Sequence, residues 1–213
     1  MSTLEFYFDF ISPYAYMAST RIEAIASRHG RTVKWRPFRL GVTVTKVMGL
    51  KPLLDTPLKG DYLRSDVPRL AQALSIPLCD DLSIFNPVPA QRLFHALPEE
   101  AAGVLARKLL SARWEQGRRL DNLESLVEIA AEMGVTRDTV EQALESPQTK
   151  AAVDGATRQA IEHGVFGSPT CIVDGELFWG LDRLWILDSF LAAGSRYAPV
   201  APERAAALGM ALP

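Results

Sequence analysis

Apolar and polar positions alternate over Leu4-Glu5-Phe6-Tyr7-Phe8-Asp9, and the aromatic side chains among them favour a pleated strand. The pattern stops at Ser12-Pro13, where a serine suited to an N-cap precedes a proline suited to a first helical turn. The spacing of Tyr16, Ile22, Ile25 and Ala26 predicts a helix from Pro13 to His29, stopped by Gly30. Alternation returns over residues 32–38 with Val33 and Trp35 and ends at Pro37, a second strand. A strand, a helix and a strand in this order form a crossover unit, which makes the two strands parallel.

Beyond Gly41 the periodicity is interrupted by Pro52, Pro57, Pro68, Pro77, Pro87, Pro89 and Pro98. Only Asp61 to Leu74 keeps a helical pattern, with Pro68 expected at a boundary or kink. From Glu99 the chain reads as helical: Ala101 to Gln116, then a segment opened by Asp121 with Glu124 as a capping box and running through Met133-Gly134. Thr136 caps a third helix through Leu144, and Ser146-Pro147 opens a longer one ending at His163-Gly164. Thr170 to Val173 and Glu176 to Trp179 then flank Asp174-Gly175, the signature of a β-hairpin. Leu181 to Ala193 predicts a final helix packed through Leu184, Ile186, Leu187 and Phe190, and the tail with Pro199, Pro202 and Pro213 reads as extended.

Sheet-forming ends around a helical middle predict an α/β fold: a thioredoxin-like mixed four-stranded sheet, residues 1–42 and 146–213, interrupted by a mostly helical insertion over 43–145. Composition adds exclusions. The 25 acidic and 23 basic residues leave a net charge of -2, and Arg113, Arg118 and Arg119 sit beside acids and a tryptophan, reading as a solvated face and not a nucleic-acid site. No apolar run reaches the roughly 18 residues of a membrane span, and the acidic start argues against a signal peptide, so a soluble, cytoplasmic protein is expected. Cys79 and Cys171 form no CxxC and read as free thiols. His29, His95 and His163 lack metal-ligand spacing, and neither a phosphate-binding loop nor a Ser-His-Asp order is present.

Three stretches carry a resemblance: Phe6 to Tyr16, with Ser12-Pro13-Tyr14 at its turn; Gly164 to Thr170, with Ser168-Pro169; and Val173 to Leu184, with Phe178-Trp179-Gly180 and Asp182-Arg183. Over nearly the whole chain the sequence resembles the 2-hydroxychromene-2-carboxylate isomerases, relatives of the kappa-class glutathione transferases and of DsbA-like thioredoxin-fold proteins. The resemblance implies a homodimer that binds glutathione around a cis-proline and interconverts 2-hydroxychromene-2-carboxylate and trans-o-hydroxybenzylidenepyruvate, a small aromatic acid. It places the family's catalytic serine on Ser12, its cis-proline on Pro169 and its acidic residue after Trp-Gly on Asp182. It also implies Lys59, Tyr62, Asp66 and Arg69 in the insertion. The family's asparagine after a Pro-Val pair has no counterpart, because Pro89 follows Pro87-Val88; Asn86 is the nearest such side chain.

The residue types fit that chemistry. A hydroxyl at a strand-to-helix turn, beside unpaired N–H groups and a positive helix end, stabilises an anion such as a thiolate; plain capping is its simpler role. Ser12-Pro13-Tyr14-Ala15 occupies the place of a CxxC, so disulfide exchange there is excluded. A cis bond would open the Ser168 N–H and C=O to a peptide-like ligand. Asp182 suits the γ-glutamyl ammonium or a helix cap, and Trp179 reads as core. Lys59, Arg69 and Arg36 are candidates for a substrate carboxylate, with Tyr62 for its enol or phenol oxygen. A glutathione-conjugating transferase, an isomerase of a related aromatic-degradation intermediate and a non-catalytic binding protein remain alternatives.

Overall fold

Thr3–Phe8 forms β1 and Thr32–Pro37 forms β2, paired in parallel from Thr3 opposite Thr32 to Phe8 opposite Pro37. β3 (Thr170–Val173) runs antiparallel to β1, with Phe6 opposite Cys171, and β4 (Glu176–Trp179) closes a hairpin with β3. The strand order β2-β1-β3-β4 is the expected mixed thioredoxin-like sheet. Asp174 and Gly175 both take positive φ, 51° and 84°, the backbone that a two-residue hairpin turn of this hand requires. These relations come from a computed structural model that describes residues 3–197; Pro199, Pro202 and Pro213 lie outside the described residues.

The helix expected over Pro13–His29 is two helices, α1 (Pro13–Ser19) and α2 (Ile22–Arg28). The Ser19 and Thr20 hydroxyls donate to the carbonyls of Tyr16 and Met17 at 2.6 and 2.7 Å, and such side chains compete with the helical ladder. A single turn, α3 (Leu40–Val42), continues as a wider turn through Val47, and a tight turn at Leu53–Asp55 precedes α4 (Lys59–Ala73). Pro68 lies inside α4. α5 (Val88–Ala96) was hidden by its prolines: Pro87 is its N-cap and Pro89 its second residue, where a missing N–H breaks no helical bond.

α6 (Glu99–Trp114), α7 (Leu123–Ala131), α8 (Arg137–Glu145) and α9 (Pro147–Glu162) follow. Asn122, not Asp121, caps α7 by accepting the Ser125 N–H at 3.1 Å; the Asp121 carboxylate is taken by Arg119. Thr136 and Ser146 cap α8 and α9 as expected. A short turn at Leu181–Arg183 leads into α10 (Leu184–Ala192).

One continuous buried cluster joins Leu4, Phe6 and Phe8 of the sheet to Met17 and Ile22, to Leu105 and Leu109 of α6, to Leu126 of α7 and to Leu187 of α10. Arg113, read from the sequence as part of a solvated face, is fully buried. Its guanidinium donates to Asp81 Oδ2 at 3.1 Å and to the carbonyls of Asp81 and Ser83 at 2.9 and 2.8 Å, and lies against the Phe85 and Trp114 rings. Among the described residues no helix is long and apolar enough to cross a membrane.

Candidate active site

Ser12 stands where β1 hands over to α1, 5% exposed and in extended backbone. Its Oγ accepts the Ala15 N–H at 3.1 Å and donates to the Ser168 carbonyl at 3.0 Å, while its own carbonyl accepts the Tyr16 N–H. Pro13 has no N–H, which leaves the Tyr14 N–H as the first-turn donor not committed to the cap. α1 is seven residues long, so its positive end is weaker than that of the longer helix expected.

The peptide bond Ser168–Pro169 is cis. Ser168 meets the Ser12 turn twice, because its Oγ also accepts the Asp9 N–H at 2.9 Å. The Ser12 N–H donates to the Asp9 carbonyl at 3.0 Å. Ser12, Ser168 and Asp9 thus form a closed circuit of three hydrogen bonds. On the other side the Gly180 N–H donates to the Pro169 carbonyl at 2.9 Å, tying the end of β4 to the same loop.

Gly180 has φ +105°, and a Cβ there would lie 2.4 Å from Asp182 Oδ1, so the Asp182 carboxylate is folded back against backbone. Arg183 Nη1 pairs with it at 2.6 Å, and the Asp182 side chain is 67% exposed. Trp179 is not core: it is 49% exposed and lies across Phe166 with centroids 4.9 Å apart. Its indole covers Gly167, where a Cβ would come within 2.1 Å of Nε1.

From the helical segment, Asp66 gathers three donors. Tyr14 Oη donates to Oδ2 at 3.1 Å, Tyr62 Oη to Oδ1 at 3.0 Å, and Arg69 Nη1 pairs with Oδ1 at 3.5 Å. Burial and the Asp66 charge hold the Tyr14 phenol protonated well above its ordinary range. Tyr62 and Arg69 are thereby brought, through Asp66, to the residue two places beyond Ser12. Lys59 opens α4, exposed and, among the described residues, without an ion pair. Arg36 is committed to Glu5 at 2.7 Å. Asn86 makes its contacts elsewhere: its Oδ1 accepts the Val88 N–H at 3.2 Å.

Two residues at the site were missed from the sequence, Asp9 and Gln91. Asp9 is completely buried with Oδ2 accepting the Leu40 N–H at 2.8 Å and Oδ1 accepting from Gln91 Nε2 at 3.2 Å. The available signal was an acid between Phe8 and Phe10, in a run of apolar aromatics. A cavity of about 820 Å³ lined by Arg64, Ala71, Ile76, Cys79 and Leu82 contains none of the expected site residues. Both cysteines are free; Cys171 is buried and its thiol is pushed up by desolvation.

The model of the DSBA-like thioredoxin domain matches residues 3–192. A 2-hydroxychromene-2-carboxylate isomerase of Pseudomonas putida is 32% identical over 188 residues, 87% of this chain and 92% of that protein. Glutathione S-transferase kappa 1 of Rattus norvegicus is 25% identical, covering 93% and 94%. A solved 2-hydroxychromene-2-carboxylate isomerase structure superposes with a TM-score of 0.81 at 31% identity, over 91% of this chain and 96% of that one.

Proposed function

The chain belongs to the DsbA-like thioredoxin family, beside the 2-hydroxychromene-2-carboxylate isomerases, and from that premise we propose that it is a cytoplasmic, homodimeric, glutathione-dependent isomerase of 2-hydroxychromene-2-carboxylate. The observation that carries the reading is a serine hydroxyl, facing the cis-proline loop, at the position where a disulfide oxidoreductase of this fold would need its cysteine.

The residues present fit glutathione in kind. Ser12 and Ser168 offer hydroxyls for a sulfur, and the Asp182–Arg183 pair offers both charges that an amino-acid zwitterion needs. Bound glutathione would supply a thiolate for reversible addition to a conjugated acid, the chemistry that lets a double bond isomerise. Ser12 would hold the sulfur by turning its O–H away from the Ser168 carbonyl, keeping the Ala15 N–H as its cap. The Tyr14 N–H adds a second dipole of the right sign. Arg69 and Lys59 compensate the substrate carboxylate, and Tyr62, freed from Asp66, donates to the oxygen that gains charge. Asn86 is the weakest member of the proposed set, because its amide oxygen is taken by the Val88 N–H.

The test is ultraviolet monitoring of 2-hydroxychromene-2-carboxylate with and without glutathione, in wild type and Ser12→Ala, while free thiol is titrated. Glutathione-dependent interconversion at constant thiol, lost in the variant, supports isomerisation. Thiol consumed in step with product identifies a transferase, and no spectral change removes the named substrate.

A further inference from the structure

Asp9 follows β1 with a completely buried carboxyl, and among the described residues no Lys, Arg or His bonds to it. Its three partners are all donors: the Leu40 N–H at 2.8 Å, Gln91 Nε2 at 3.2 Å and the Ile11 N–H at 3.4 Å. Gln91, buried on α5, sends its second N–H to the Phe38 carbonyl at 3.0 Å. An acceptor-only carboxylate matches this set, whereas a carboxylic acid would place a proton among donors. The backbone of the same residue belongs to the Ser12–Ser168 circuit on both sides, through its N–H and its carbonyl.

We propose that Asp9 is a positioning residue for the thiol site: its carboxylate, held between the exit of β2 and α5, fixes the peptide that orients the Ser12 and Ser168 hydroxyls. The inference rests on the glutathione reading above and extends it to a residue that touches no ligand. Nothing else within the node performs this task, since Leu40 and Ile11 contribute only backbone and Gln91 reaches the site only through Asp9.

Burial pushes the Asp9 carboxyl up to about 7 against the hydrogen bonds from Leu40, Ile11 and Gln91 that oppose it, so its protonation changes near neutral pH. Charged groups on the elements packed around it turn elsewhere. Arg36 pairs with Glu5 and Arg39 with Asp154, and Arg92 donates to the carbonyls of Leu144 and Ser146. His95 of α5 is held below its ordinary value by burial and Arg36; its ionisation survives a substitution at Asp9, which separates the two.

The experiment is Asp9→Asn, which keeps the shape but turns an amide N–H₂ onto donors. Turnover should fall by about 10²-fold, as for other displaced catalytic geometries, with KM for glutathione much less affected. The wild-type kcat should rise with pH through a step near 7 that the variant lacks. Hydrogen exchange at the Ser12 and Leu40 amides, read without substrate, should accelerate in the variant. A folded Asp9→Asn protein with wild-type kcat, a retained step or wild-type exchange overturns the proposal. Should wild type neither bind nor use glutathione, the functional reading fails by itself, and amide exchange still decides whether Asp9 holds the circuit. If Asp9→Asn does not fold, Gln91→Met removes one donor from the same carboxylate; about a tenfold loss with faster Ser12 exchange is expected, and no change overturns the assignment.

Discussion

Ser12 caps α1 and is the proposed donor to a thiolate, two roles of different magnitude that one substitution separates. Ser12→Ala removes the acceptor of the Ala15 N–H, an N-cap loss of about 1 kcal/mol that urea denaturation reads. As a donor to a thiolate it should matter far more, about 10²-fold or greater in turnover. Activity lost only in proportion to folded protein would identify a cap and nothing else. Asp9 gives the opposite kind of signal, in stability. Its carboxyl titrates near 3.8 when unfolded and is raised to about 7 when folded, so the folded chain holds the proton longer. Its contribution to stability is greatest below 3.8, declines as pH rises toward 7 and is level above. Asp9→Asn should remove that slope in denaturation curves collected across the window. A site that uses the ionised form therefore keeps a charge that the fold itself disfavours.

At the scale of elements, Arg113 clamps α6 to the segment before α5 through three oxygen acceptors and two rings. Arg113→Ala should destabilise by about 3 kcal/mol, and it should speed alkylation of Cys79, whose N–H donates to the Trp114 carbonyl at 2.7 Å. Gly167→Ala should push the Trp179 indole off its loop, seen as increased acrylamide quenching of the exposed fluorophore; unchanged quenching would mean that the loop absorbs the methyl group. Elements whose cause is local were legible in the sequence: Ser12-Pro13 and Ser146-Pro147 open helices, and Asp174-Gly175 turns a hairpin. Where the cause is distant, reading failed. Arg113 is charged and next to acids in sequence, and only the fold brings carbonyls from the segment 81–83 around it. Trp179 looks like core until Gly167 and Phe166 are seen beneath it. Ser19 and Thr20 break a continuous apolar face by bonding backward, a competition that spacing does not record.

Across the whole molecule, the proposed site draws on residues from both ends of the chain, Ser12 with Ser168 and Asp182, and from α4 between them. The core is shared in the same way, one cluster crossing from the sheet to α6, α7 and α10. Circular dichroism and tryptophan emission should therefore report one coincident unfolding transition; two would show that the helical segment proposed as an insertion over 43–145 is stable alone. The strands at both ends were readable because their signals are local, but how α5 reaches the candidate site was not, because Gln91 on an unforeseen helix makes that contact. The Ser12–Ser168–Asp9 circuit has a mechanical consequence. A closed loop of three links is redundant: open any one and the remaining two still connect all three residues. The hydroxyl of Ser12 can accordingly swivel toward a visitor and back on every cycle, a moving part mounted on a frame that does not move with it.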